Sequence, residues 1–297
     1  MTSNALSLIS ESEWRARASH HHETLLPIVE KFRNRRARDE IHPVHDFLFT
    51  YYPFPPGKLL QWHPAVHETL AISSNLPPTF SQKHYLLERH TLRLDPSTLR
   101  QKDLSRFRFT LHLLEQTASR TPNFACHGLH EWAMVYKSNN PRHRERAPLR
   151  LSPASIAQFL ESRPLACSHF DATRFFTPEA SERNLLKPEL MSRDQFEQPG
   201  CIHANMDLYK WSFKTMPWLG SDLLRKSFFL ALELRELDMR ASPYDLSHYG
   251  YQPIPIETDS GRRAYESAQK NLAKKSTALR VQLINSLQSF LPDVTKA

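Results

Sequence analysis

Apolar residues recur at three- and four-residue spacing through much of this chain, and that period predicts helices. Over residues 262 to 290, Tyr265, Ala268, Leu272, Leu279, Leu283 and Leu287 fall on one face of a long C-terminal helix. Residues 222 to 238, DLLRKSFFLALELRELD, are apolar on nearly every side, which predicts a central buried helix. Near the N-terminus the spacing predicts a helix over 11 to 38, with Ser10 as N-cap, Glu11 and Glu13 in its first turn and Pro27 as a kink site. Residues 97 to 120 read as another helix, entered through Asp95-Pro96. Thr121-Pro122 and Ser152-Pro153 each place proline at a first helical position, opening NFACHGLHEWAMVYK and ASIAQFLESR.

Two stretches break the helical period. Around Thr91, HTLRLDP alternates like a short strand, and the segment 165 to 199 shows only weak periodicity. The fold class that follows is mainly α: an N-terminal helix over 1–40, then a single mainly helical domain over 41–297. A small β-hairpin or irregular insertion belongs around 85–95 and 165–199. Pro53, Pro55 and Pro56 exclude a continuous helix through the aromatic, histidine-rich stretch that starts near Ile41.

Composition narrows the function classes. Six glycines against 22 prolines leave no dinucleotide fingerprint and no Walker-type phosphate loop. Three scattered cysteines, Cys126, Cys167 and Cys201, do not make a disulfide framework or a Cys-x-x-Cys zinc knuckle. No apolar run approaches the roughly 20 residues that span a bilayer, and no signal pattern opens the chain, so the expectation is a cytoplasmic protein without a membrane partner. The formal charge of +8 allows an acidic partner. Its densest cluster, KSNNPRHRERAPLR, offers Lys137, Arg142, Arg144 and Arg146 as nucleic-acid contacts, beside the plainer reading of a solvated loop.

Candidate chemistry falls in five clusters. His42 and His45 flank a proline beside Asp46, and His63 and His67 stand four apart before Glu68. His127, His130 and Glu131 come together in HGLHE; Asp238 and Asp245 bracket DMRASPYD. The fifth, QPGCIHANMDLYKW, follows a Pro-Gly turn with His203 and Asp207 four apart, then Tyr209 and Trp211. Four-residue spacing on a helix sets His203 and Asp207 on one face, which suits a metal pair, an acid–base pair or a buried histidine held by a carboxylate. Imidazole and carboxylate donors suit a divalent transition metal, with His42, His45, His127, His130 and His203 as candidate ligands. The alternative for several of these is a core histidine bonded to a neighbouring carboxylate or carbonyl. His20, His21 and His22 read as solvated, and His63 and His67 as surface.

The blocks HPVHDFLFTYYPFPP, QPGCIHANMDLYKW and LDMRASPYDL resemble those of a bacterial family commonly labelled 3-methyladenine DNA glycosylase, over roughly residues 40 to 280. The resemblance implies a DNA-repair hydrolase that releases an alkylated purine from DNA without a metal. Neither the Leu-Pro-Gly-(Ile/Val)-Gly hairpin of one glycosylase class nor the Cys/His zinc pattern of another is present, so no catalytic residue carries over by motif. Under that reading Asp207 or Glu131 assists departure of the base, and His203, Tyr209, Trp211 and Asp46 contact substrate. A second reading is a metal-dependent oxidoreductase or hydrolase, using non-haem iron, manganese or zinc on a small molecule or modified nucleoside. The third is a binding protein whose buried polar network has no catalytic role.

Overall fold

The computed structural model describes residues 6–81, 83–138 and 147–294. It is mainly helical, with one small four-stranded sheet. The helices up to the middle of the chain are α1 (Glu11–Ala37), α2 (Phe47–Tyr51), α3 (Pro56–Leu59), α4 (Gln101–Ser119), α5 (Leu129–Ala133) and α6 (Pro153–Glu161). They are followed by α7 (Phe170–Thr173), α8 (Pro178–Arg183), α9 (Arg193–Phe196), α10 (Ile202–Lys214), α11 (Ser221–Arg240) and α12 (Asp259–Val294). The strands are β1 (Ser7–Ile9), β2 (Glu68–Ala71), β3 (Tyr85–Glu88) and β4 (Thr91–Leu94).

The capping residues behave as their chemistry dictates. Ser10 accepts from the Glu13 amide at 3.3 Å, and α1 runs through Pro27 without a break. Ser152 caps α6 with Pro153 in its first turn. Asp95 accepts from the Ser97 amide, but the turn it opens is a single 3-10 turn, and α4 begins only at Gln101. The expected helix from Pro122 is also shortened. His127 and Gly128 both take positive φ, at 45° and 75°, and two consecutive left-handed residues end any helical ladder. The backbone needs Gly128 there, because a Cβ would stand 3.3 Å from the Tyr265 hydroxyl. Helix α5 therefore starts at Leu129.

The hairpin expected near 85–95 is β3–β4, paired antiparallel with Leu87 opposite Leu92. The rest of the sheet is non-local: β2 adds to β4 antiparallel, and β1 adds to β2 in parallel, giving the order β1-β2-β4-β3. Leu70 and Leu92 from its inner face meet Ile9, Trp14, Trp62 and Phe80, a satellite core beside α1. Trp14 Nε1 donates to the Ala71 carbonyl at 2.9 Å, tying helix to sheet. The segment 165–199 holds the short helices α7, α8 and α9 joined by irregular chain, with one isolated bridge between Leu165 and Asn184.

The main core forms where α10 packs on α11 and α12, and α4 covers α12. Every residue of α10 from Ile202 to Ser212 is buried, so α10 is more enclosed than α11, the helix whose apolar composition marked it as central. That burial matters for function, because α10 carries His203, Asp207 and Lys210 into a low-dielectric interior.

Candidate metal centre

Three loops and two helices converge at the N-terminal half of α10. The turn at Pro199-Gly200 docks on the 121–124 segment: Gln198 Oε1 accepts from Asn123 N at 2.8 Å and from Gly200 N at 2.7 Å, and Gln198 Nε2 donates to Asn123 O at 2.9 Å. Gln269 of α12 donates to Gly200 O at 2.8 Å, and Asn205 donates to Pro199 O at 3.0 Å. These bonds fix where α10 starts and hence where His203 points.

His203 lies against His130 of α5, with ring centroids 4.4 Å apart and planes at 78°. Beyond His130 stands Asp238 of α11. His130 Nε2 and Asp238 Oδ1 form a buried ion pair at 2.7 Å. One donor atom from each of His130, His203 and Asp238 lies within 4.8 Å of the others, and the three side chains are essentially buried. The second oxygen of Asp238 is occupied by Arg235 Nη1 at 2.9 Å, which also donates to Glu131 Oε1 at 2.7 Å. The Arg235 guanidinium stacks over Phe47, 3.8 Å from the ring centre. Burial alone would raise the Asp238 carboxyl, but His130 and Arg235 hold it well below the usual carboxylate range. Burial, with His130 beside it, pushes the His203 imidazole well below its ordinary value and keeps it neutral. His130 goes the other way: burial opposes its charge, but Asp238 and Cys126 outweigh that.

A second set adjoins the first through His203, whose ring stacks on His169 at 5.4 Å and 26°. It comprises His169, Asp171 and Asp207. His169 Nε2 is 3.4 Å from Asp207 Oδ2 and 3.7 Å from Glu197 Oε1. This set already contains its cation. Lys210 Nζ bonds Asp207 Oδ2 and lies 3.2 Å from Asp171 Oδ2, which also accepts from Arg193 Nη2 at 3.1 Å. Tyr52 donates to Asp207 Oδ1 at 2.7 Å. Burial works against the Lys210 charge, but Asp207 and Asp171 outweigh it and hold its pKa above the usual lysine value. A metal ion at this place would meet an ammonium head; a metal ion between His130, His203 and Asp238 would not. The donor set of the first group fits a divalent transition ion: two imidazoles, one carboxylate oxygen, and a second carboxylate oxygen anchored by Arg235.

Two cavities reach these residues, and His203 lines both. The larger, of about 350 Å³, is bordered by His130, Cys126, Cys167, Cys201 and Gln198 among others. The smaller, of about 200 Å³, has Phe47, Tyr51 and Phe175 in its walls, with Glu131, Asp171 and Arg235 as its charged groups.

The candidates from the sequence scatter. His130 and His203 meet, Glu131 faces the smaller cavity, and Asp207 joins the adjacent set but lines neither cavity. Tyr209 is core, packed edge-on against Tyr52, Phe54 and Phe228, and Trp211 lies between Phe109 and the Lys210 and Lys214 ammonium groups. Asp46 is buried away from the site, paired with Arg35 and accepting from His42 N at 2.9 Å. His42 and His45 contact each other and the Tyr249 and Tyr251 rings, His45 Nε2 lying 2.7 Å from the Tyr251 hydroxyl, and belong to neither set. His127 bonds the Ala125 carbonyl and faces Glu266, also outside both sets. Lys137 pairs with Glu161 at 3.0 Å; Arg142, Arg144 and Arg146 lie outside the described residues.

Two histidine expectations are corrected. His21 is fully buried, with Nε2 2.8 Å from the Leu59 carbonyl, and His63 is buried with Nδ1 2.6 Å from the Tyr85 hydroxyl. Both occupy the seam between α1, the sheet and the chain after α3, where their neighbours come from distant sequence. The sequence reading passed over His169, Asp171, Lys210, Tyr52 and Arg235. One signal was available: Cys167-Ser-His169 and Cys201-Ile-His203 repeat a Cys-x-His step, and Cys126 precedes His130 by four. No helix among the described residues is long and apolar enough to cross a membrane. No family model, curated protein or solved structure matches the chain.

Proposed function

We propose that this protein is a metal-dependent enzyme, an oxidoreductase or hydrolase of a small molecule, with a divalent transition ion held by His130, His203 and Asp238. The observation that carries the reading is the convergence of one ligand atom from each of His130, His203 and Asp238 within 4.8 Å of one another in a buried site. His130 is an imidazolium facing the Asp238 carboxylate at 2.7 Å, because Asp238 and Cys126 outweigh the cost of burying its charge. A divalent ion shared by these two residues and His203 would take the place of that proton, which is released on binding. Two histidines and one carboxylate would suit iron, manganese or zinc, and His203 borders both cavities.

When bound, such an ion supplies Lewis acidity or redox capacity. The chain's own groups do the rest. Arg235 Nη1 donates to both Asp238 and Glu131, which fixes the orientation of both carboxylates. Glu131 faces the smaller cavity, where its other oxygen can take a proton from a bound substrate. Phe47, Tyr51 and Phe175 exclude water and offer flat apolar walls.

The family resemblance supports a second reading, release of an alkylated base. One observation favours it: the smaller cavity combines aromatic walls with the Glu131 and Asp171 carboxylates, surroundings that suit a planar cationic heterocycle. Metal analysis separates the two. Protein purified without tag or chelator is expected to carry near-stoichiometric iron, manganese or zinc, lost in His203→Ala and Asp238→Asn. Protein that is metal-free and takes up none of the three defeats the first reading and directs attention to base release from alkylated DNA.

A further inference from the structure

The smaller cavity has room for one ring. An apolar cavity of about 150 Å³ holds a single benzene, and this one measures about 200 Å³. Its apolar walls are Phe47, Tyr51, Met134 and Phe175. The Phe47 and Tyr51 rings lie 4.9 Å apart at 10°, and Phe175 stands across Tyr51 at 6.4 Å and 61°. Packed against one another, these rings give the cavity a flat and stiff apolar surface.

The charged groups of the same cavity are not balanced. Glu131 and Asp171 bring two carboxylates to it, and the cations beside them are already engaged. Arg235 Nη1 donates to Glu131 and to Asp238, and its guanidinium lies on Phe47. Lys210 and Arg193 both reach Asp171 Oδ2, at 3.2 and 3.1 Å, and Arg174 Nε stands 3.7 Å from Oδ1. Thr50 Oγ1 donates back into its own helix, to the Asp46 carbonyl at 3.1 Å. Burial opposes the charge of Asp171, but Lys210 outweighs it, so the carboxylate stays ionised. A ligand that enters here meets acceptors and has to bring the donors.

We propose that the smaller cavity binds a one-ring aromatic amine, with its ring against Phe47, Tyr51 and Phe175 and its ammonium group on the Glu131 and Asp171 carboxylates. This names a substrate class for the metal-dependent reading, and rests on that reading for one point only: which end of the substrate meets the ion. Both carboxylates adjoin the proposed metal ligands. Glu131 follows His130 and shares Arg235 with Asp238, while Asp171 lies two residues after His169, whose ring stacks on His203. The amine-bearing carbon is therefore the part of the molecule set beside the ion. An ammonium group donates up to three charge-assisted hydrogen bonds, whereas a ring nitrogen carrying a methyl offers charge without a donor.

The test uses full-length, metal-free protein and three one-ring probes: benzylammonium, benzyl alcohol and N-methylpyridinium. Affinities come from titrations followed by ligand-detected nuclear magnetic resonance. Benzylammonium is expected to bind at least about tenfold more tightly than either of the others, the margin that one charge-assisted hydrogen bond supplies. Glu131→Gln and Asp171→Asn each shrink that margin and leave the affinity for benzyl alcohol unchanged, and Phe175→Ala weakens all three probes. Two carboxylate variants are made so that a folding failure in one, seen by circular dichroism, leaves the other to report. Equal affinities for the three probes overturn the proposal, as does a margin that survives both carboxylate changes in folded protein. The ion is judged separately. Protein that takes up no metal but keeps the margin loses only the metal centre; protein that binds metal but shows no margin loses only the aromatic amine.

Discussion

His130 Nε2 and Asp238 Oδ1 form a buried ion pair at 2.7 Å across the interface of α5 and α11. Each residue also has a neighbour on its far side: Cys126 Sγ 3.9 Å from His130 Nδ1, and Arg235 Nη1 2.9 Å from Asp238 Oδ2. The facing atoms, with His203 beside them, offer three ligand atoms within 4.8 Å of one another. In Asp238→Asn the shape persists, but the carboxylate oxygen that faces His130 is lost and Arg235 keeps only Glu131 as its full-charge partner. The expected result is loss of bound iron, manganese or zinc, with a stability decrease of about 3 kcal/mol from the disturbed buried pair. Elemental analysis and urea denaturation of one preparation measure both; retained metal would exclude Asp238 as a ligand.

The adjacent set makes the opposite prediction. Lys210 is the cation for Asp207 and Asp171, buried at the contact between α10 and α7. Lys210→Met leaves two carboxylates and His169 around an uncompensated space, and is expected to destabilise by about 3–5 kcal/mol. The vacated position then offers an imidazole and two carboxylate oxygens to a divalent ion. Added manganese or zinc should raise the melting temperature of Lys210→Met more than that of the wild type, because an ion that binds only the folded form stabilises it. Equal shifts in the two proteins would mean that the lysine was not filling an ion's place.

How far this centre could be read from sequence depended on the element carrying each part. The α10, α11 and α12 helices and the β3–β4 hairpin follow from local period, and they supplied His203, Asp207 and Asp238. The four-residue step from His203 to Asp207 does point both inward, but into neighbouring sets: His203 turns to His130 and Asp238, Asp207 to His169 and Lys210. His169 and Asp171 sit on an irregular stretch with no period to give them a direction. The pairs His42/His45 and His63/His67 are dense in sequence, whereas His45 and His63 bond tyrosine hydroxyls and His67 is exposed. The parallel pairing of β1 with β2 and the burial of His21 rest on contacts between distant segments, which no local pattern records.

Buried neutral histidines set a pH dependence. Burial lowers His21 and His63 from the ordinary value of 6.5 to about 4. Because the unfolded chain takes up these protons first, their contribution is fully present above pH 6.5 and is lost as pH falls toward 4. At ~1.4 kcal/mol per unit the loss is at most about 3.5 kcal/mol for each residue. His21→Leu removes one share of that slope while adding a pH-independent penalty for the unpaired Leu59 carbonyl. Denaturation midpoints between pH 7 and pH 4 should therefore fall less steeply in His21→Leu than in the wild type; parallel curves would refute a depressed His21.

The Pro199-Gly200 turn fixes the start of α10, and with it Cys201 and His203. A Cβ on Gly200 would lie 2.6 Å from the Asn123 carbonyl oxygen and 3.0 Å from its nitrogen, both backbone atoms that cannot swing aside. Gly200→Ala must push the 199–201 turn off the 121–124 segment, stretching the Gln198 bonds to both sides. Overpacking of this kind costs about 1–3 kcal/mol. The displacement moves Cys201 relative to Cys126 and tilts the first turn of α10, which carries His203. The expected outcome is a modest fall in melting temperature accompanied by faster thiol modification and weaker metal retention. The combination is diagnostic, because a simple loss of stability would speed thiol modification only near the melting transition. Gly200→Ala protein with thiols as protected as the wild type, well below that transition, would show that the turn does not position the thiols.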